Sequence, residues 1–119
     1  MENTNVEERY FDLKTVLSVT CRYLFTDMGD IYDILSYITN TEINVYNMLY
    51  SLRVAEFCIL QKYPQLRGID ENMPLLNPDD AITFVNSQKA IFGESLAVSP
   101  ISNGRHTNIN ETPGRNSRN

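Results

Sequence analysis

Few side chains in this chain can make or break bonds, and those few are scattered. His106 is the only histidine, so any Ser-His-Asp or Cys-His arrangement would have to be built on it. It lies in a polar C-terminal stretch without the packed support that a general base needs. Cys21 and Cys58, the two cysteines, are far apart and set in apolar sequence. They form no CxxC pair, and one histidine leaves no zinc set of the usual kind. Both read as small buried hydrophobes rather than as a disulfide. Carboxylates cluster at Asp27, Asp30 and Asp33 and again at Asp79 and Asp80. Both clusters fall at expected helix starts, where the positive end of the helix dipole favours acids, so neither requires a magnesium ion. The glycines are isolated and form neither a Walker loop nor a dinucleotide-binding run. No cofactor is expected, and the chain reads as a non-enzyme.

What remains is the chemistry of recognition. Arg22 and Arg53 are each embedded in apolar sequence. A planar guanidinium there can clamp a carboxylate or another anion through two hydrogen bonds; the plainer alternative is a surface arginine whose stem covers apolar neighbours. Seven tyrosines and five phenylalanines are generous for the length. Tyr32, Tyr46 and Tyr50 cannot all face a core that also takes Ile31, Leu35, Leu49 and Leu52, so some belong at the rim, where an amphipathic ring suits an interface. The candidate binding residues are therefore Arg22, Tyr46, Tyr50 and Arg53, with Arg105 in the tail.

These residues need elements to hold them. At 119 residues and 42% hydrophobic, the chain supports one domain with a modest core. The organising stretch is Glu42 to Tyr63, where Met48, Leu52, Ala55 and Ile59 recur at helical spacing and Val45, Leu49, Leu60 and Tyr63 widen the stripe. Thr41 is placed to cap it and Pro64 to end it. From Phe11 to Phe25 two readings compete. Phe11, Leu13, Leu17, Val19, Cys21 and Tyr23 alternate as in a strand. Leu13, Val16, Leu17, Thr20 and Leu24 make a helical face behind Asp12 as a cap. A strand here finds a partner only in Leu96 to Ile101, and the balance favours helix.

Thr26 or Asp27 starts a further helix with Ile31, Ile34, Leu35 and Ile38 on one face. Asn40 and Thr41 break it, so it should lie beside the central helix as a hairpin. Pro64 to Pro78 reads as an ordered connector, with Met73, Leu75 and Leu76 pinned to the core. Asn77-Pro78-Asp79-Asp80 is a strong helix start, Ile82, Val85 and Phe92 supply that helix's buried face, and Gly93 caps its end. Leu96 to Ile101 suits a short edge strand. The expected fold is mainly α, a single-domain bundle of about four helices with room for a short β element; the alternative is α+β with residues 11–23 as a strand. The domain spans 11–102, between a flexible N-terminus (1–10) and a flexible, mildly basic tail (103–119).

Charge narrows the partners. The chain carries a net −5, divided into a body of −7 (7 basic and 14 acidic residues up to 102) and a tail of +2 (Arg105, Arg115 and Arg118 against Glu111). Such a balance argues against direct binding of duplex nucleic acid. No apolar run is long enough for a membrane span, and the acidic start lacks a signal-peptide pattern, so the cytosol is the expected compartment.

Five fragments together resemble a known pattern: Phe11-Asp12-Leu13, Thr15-Val16-Leu17-Ser18-Val19-Thr20, Met28 with Ile31-Tyr32-Asp33-Ile34-Leu35, Tyr63-Pro64-Gln65-Leu66, and Phe92-Gly93-Glu94-Ser95-Leu96. In this order they resemble a family of small proteins encoded by tailed bacteriophages and prophages, over roughly residues 11–100. The chain departs from that pattern where the family runs Thr-Gly-Arg, Met-Thr-Gly-Asp, and a histidine followed by Leu-Pro-Arg-Ala. Here the matching stretches are Thr20-Cys21-Arg22, Ile38-Thr39-Asn40-Thr41 and Ser51-Leu52-Arg53-Val54-Ala55. A site built on the family's glycines, proline and histidine has no counterpart in this chain. The resemblance implies an origin in a phage genome and action in the host cytoplasm, not a chemistry.

The functional expectation is a small non-enzymatic phage accessory protein that binds a host protein or a small nucleotide signal, to counter a host antiviral defence. A nucleotide would need arginines and aromatics to converge on a pocket, as across a homodimer interface. The alternatives are a small enzyme acting on nucleotides or protein, and a virion structural or assembly component.

Overall fold

The chain turns from strand to helix at Asp12, and the fold is assembled around that junction. The computed structural model describes residues 8–73 and 77–101. Arg9–Asp12 form strand β1 and Leu13–Thr20 form helix α1. The carboxylate of Asp12 accepts from the Lys14 backbone N–H at 3.0 Å, giving α1 its N-cap. Both readings of Phe11 to Phe25 therefore hold a part: the strand stops at Asp12, and residues 13–20 are helical rather than extended. The strand also takes in Arg9 and Tyr10.

Helix α1 is the centre of the molecule. Leu13, Val16 and Leu17 are fully buried, with Thr15, Ser18, Val19 and Thr20 nearly so. A helix so enclosed must satisfy its polar side chains locally. Ser18 Oγ donates to the Lys14 carbonyl and accepts from the Phe25 N–H. Cys21 ends the helix and Arg22 follows in the left-handed region at φ 56°.

Helix α2 (Met28–Thr39) starts at Asp27, whose side chain accepts from the Asp30 N–H at 2.9 Å, and it ends at Asn40 in the left-handed conformation. Ile31, Ile34, Leu35 and Ile38 are buried, the face expected from their spacing.

Helix α3 is Met48–Lys62, and it corrects the reading of Glu42 to Tyr63 in three ways. It begins six residues later than expected, with Asn47 rather than Thr41 as its cap residue. The cause is a turn tied by two asparagines. Asn44 Oδ1 accepts from the N–H groups of Tyr46 and Asn47, Asn47 Oδ1 accepts from the Asn44 N–H, and Asn47 Nδ2 donates to the Glu42 carbonyl. Side chains that satisfy the backbone in this way compete with the helix. Second, Val45 and Leu49, expected in the buried stripe, are 80% and 63% exposed. The face that meets the core is Ser51, Ala55 and Ile59, with Leu60 also buried and Met48 and Leu52 partly so. Small residues at 51 and 55 let α3 approach the other helices closely, and it packs on both α1 and α2. Third, α1 rather than α3 is the enclosed element.

Two short 3-10 turns, Pro64–Leu66 and Ile69–Asn72, follow α3; Leu66 is buried and Met73 packs on the core. Leu75 and Leu76 lie outside the described residues. Helix α4 (Pro78–Phe92) is capped by Asn77, which accepts from the Asp80 N–H, and stops at Gly93 with φ 105°. Its buried residues are Phe84 and Val85, with Phe92 half-buried; Ile82 is 59% exposed, because α4 presents Phe84 to Phe25 in a stack at 5.8 Å.

Strand β2 (Ser95–Val98) returns antiparallel to β1, with Arg9 opposite Val98 and Asp12 opposite Ser95. The Leu13 N–H donates to the Glu94 carbonyl at 2.9 Å, which extends the pairing past the helix start. Lys89 clamps the junction, at 3.2 Å from a carboxylate oxygen of both Asp12 and Glu94. Burial opposes the charge on Lys89, but these hydrogen bonds and the two negative charges outweigh it, and its pKa stands raised. The result is a mainly helical single domain with a short two-stranded sheet.

Candidate functional site

Helix α3 is apolar on two opposite sides. One carries Ser51, Ala55 and Ile59 into the core. On the other, Tyr50, Arg53, Val54 and Phe57 follow one another at three- and four-residue steps and so share a face. Phe57 is 62% exposed and Tyr50 46%. This outer face forms one wall of a groove of about 840 Å³ whose other wall is the segment Val98 to Ile101, just after β2. The floor is apolar, from Val54, Phe57, Ile59 and Ile101.

Two bonds hold the walls apart and fixed. The Leu13–Glu94 bond sets the alternation of the β1–β2 ladder, which points the Ala97 carbonyl away from β1. Tyr63 Oη donates to that carbonyl at 2.7 Å, tying the end of α3 to the open edge of the sheet. Beyond it, the Ile101 N–H donates to the Ile38 carbonyl at 2.9 Å, anchoring the second wall on α2.

Charge in the groove is one-sided. Arg53 and Lys62 line it, and no carboxylate does among the described residues. Lys62 pairs with Glu8 and lies over the Tyr63 ring at 5.7 Å. Arg53 makes no ion pair or side-chain hydrogen bond among the described residues.

Of the residues picked out in the sequence, Tyr50 and Arg53 meet in this groove. Tyr46 is 93% exposed on the turn ahead of α3 and does not line it. Arg22 stands apart: its Nε and Nη2 both donate to one oxygen of Glu56, at 3.2 and 2.9 Å, so its fork holds a carboxylate of this same chain. Arg105 lies outside the described residues. Phe57, Val54 and the 98–101 wall were not anticipated. The spacing of Phe57 from Tyr50 and Arg53 carried a signal, since together they form a second stripe on one helix; the far wall had none.

A smaller cavity of about 270 Å³ between the start of α1 and α4 is lined by Lys14, Phe25, Val85 and Lys89, with the Lys89 ammonium already held by Asp12 and Glu94. Neither Cys21 nor Cys58 is in a disulfide. Burial lifts the Cys21 thiol from its ordinary 9.0 to about 11, with the charges of Asp70 and Glu56 acting in the same direction and a contact with the Thr20 hydroxyl opposing. Among the described residues, no group of three or more His, Cys, Asp or Glu is placed to hold a metal ion, and no helix is long and apolar enough to cross a membrane. Compared with known proteins, the chain matches no family model, no curated protein and no solved structure.

Proposed function

We propose that this chain is a non-enzymatic phage or prophage accessory protein that acts in the host cytoplasm by binding a host protein through the outer face of α3. The observation that carries the reading is the second apolar face of that helix. Tyr50, Val54 and Phe57 stand away from the core beside a groove, with the guanidinium of Arg53, which has no ion pair among the described residues, in the same face. Exposed aromatics grouped with an arginine have the composition of a binding hot spot rather than of an ordinary solvated surface. The phage origin rests on the five sequence fragments, and a role against a host antiviral defence on that origin together with the small size and acidic body.

A small nucleotide signal is the second reading, favoured by one specific feature. Tyr50, Arg53 and Lys62 share a groove large enough for a mononucleotide, where a ring can stack on a base and the cations can meet a phosphate.

Capture from a host lysate tests the first reading. Wild-type protein should retain one host protein in stoichiometric amount, and Phe57→Glu should lose it while its circular dichroism stays unchanged. Undiminished capture by Phe57→Glu refutes the assignment to α3. Equilibrium dialysis against cyclic mono- and dinucleotides tests the second, where retention of any of them by wild type but not by Arg53→Ala is the expected result and no retention rejects it.

A further inference from the structure

The groove beside α3 is the reverse of its surroundings in charge. The chain is acidic overall, at net −5, yet the groove is lined by Arg53 and Lys62 and by no carboxylate among the described residues. Among the described residues Arg9 pairs with Asp33, Arg22 with Glu56, Lys89 with Asp12 and Glu94, and, at the groove itself, Lys62 with Glu8. Arg53 has no ion pair among the described residues and stands beside the apolar surface made by Val54 and Phe57. An exposed guanidinium next to an apolar surface can take a carboxylate through two hydrogen bonds while a neighbouring apolar side chain of the same ligand is buried.

We propose that this groove takes a short acidic segment of a partner protein, which sets a large apolar side chain against Val54 and Phe57 and a carboxylate against Arg53. The proposal rests on the binding reading above and adds the chemistry of the partner. Recognition here runs through side chains rather than strand addition, because Tyr63 Oη already occupies the Ala97 carbonyl on the open edge of β2.

Two other occupants fit the charge less well. A second copy joined by two-fold symmetry presents the same face, which offers no carboxylate from its lining to Arg53, and its one acid nearby, Glu8, is already held by Lys62. Residues 102–119 follow Ile101, a groove residue, in the sequence. They carry Arg105, Arg115 and Arg118 against Glu111 alone, and Ile109 as their one large aliphatic side chain.

The test is a selection from a random dodecapeptide library on the immobilised full chain, followed by anisotropy titration of the enriched peptides, labelled, at low and high salt. Enriched sequences should be net negative with at least one Phe, Leu, Ile, Met or Trp, and their affinity should fall as salt rises. Arg53→Ala and Phe57→Ala should each weaken them by about tenfold or more, whereas Lys14→Ala, on the other cavity, should leave them unchanged. The absence of enrichment overturns the proposal. Neutral or basic peptides that still require Phe57 overturn the acidic class and leave the α3 face as the binding site; peptides indifferent to both substitutions overturn the two together. A dimer in light scattering that Phe57→Glu dissolves assigns the groove to a second copy, and displacement of the probe by a synthetic peptide of residues 102–119 assigns it to the tail. Either outcome overturns the proposal.

Discussion

Two leucines on helices, Leu17 and Leu49, distinguish this fold from the one that hydrophobic spacing alone would draw. Leu17 is fully buried on α1, whereas Leu49 is 63% exposed on α3. Replacing leucine by alanine removes three carbons, worth about 2.4 kcal/mol at about 0.8 kcal/mol each when fully buried. At position 17 the enclosed site cannot collapse around the gap, and the cavity brings the loss to about 3–4 kcal/mol. At position 49 only about a third of the side chain is covered, so the same change costs under about 1 kcal/mol, and alanine's better helix propensity offsets part of that. For a domain of this size, with a total stability of about 5–15 kcal/mol, Leu17→Ala should lower Tm by at least about 12 °C while Leu49→Ala moves it by only a few degrees. Urea denaturation of both variants with a shared m-value reads the two numbers directly. Equal losses at the two positions, or a loss at Leu17 below about 1.5 kcal/mol, would refute the assignment of α1 as the enclosed helix.

Further tests address single contacts. Tyr63→Phe keeps the ring and removes the donor to the Ala97 carbonyl, and should cost about 1 kcal/mol in urea denaturation; no change would mean that water replaces the hydroxyl without loss. Asn40 ends α2 at φ 56°, so Asn40→Gly should hold or raise Tm slightly, while Asn40→Val should lower stability by about 1–2 kcal/mol. A thiol reagent at pH 8 should label the half-buried Cys58 of the native protein well before the buried Cys21, and both at once in denaturant. The raised pKa of Cys21 also fixes a pH dependence. Folding favours the neutral thiol, so this contribution is complete below pH 9.0, the unfolded value, and is lost as pH rises towards about 11, the folded one. The urea midpoint should therefore fall more steeply over that window in wild type than in Cys21→Ala, and parallel curves would contradict the burial argument.

The parts of the fold legible in the sequence are those fixed by neighbours in the chain. Asp12, Asp27 and Asn77 each cap a helix by reaching a backbone N–H two or three residues ahead, so residue type and position sufficed to place them. The start of α3 was hidden because Asn44 and Asn47 hold a turn through each other, a pairing of two side chains that neither residue announces alone. Which side of α3 meets the core was also hidden. Both sides carry apolar residues, and the choice falls to Ser51 and Ala55, which contribute little hydrophobicity but allow close approach. Strand β1 was confused with the helix behind it because its partner lies more than eighty residues further along the chain. The groove divides in the same way. Tyr50 and Arg53 are readable as helix neighbours, whereas the wall from Val98 to Ile101 exists only because β2 returns to β1 and Ile101 bonds to Ile38.

That return closes the architecture on itself, with a consequence for the order in which it can be made. The first strand of the described chain has only the last as its partner. While the polypeptide leaves the ribosome, Arg9 to Asp12 must wait unzipped until Ser95 to Val98 have been synthesised, and the wall beyond them is laid down later still. The three-helix centre can gather early, but the recess beside α3 is completed only when Ser95 to Ile101 reach Arg9 to Asp12 and Ile38. A nascent chain stalled before residue 95 would therefore carry its helices without a finished recess.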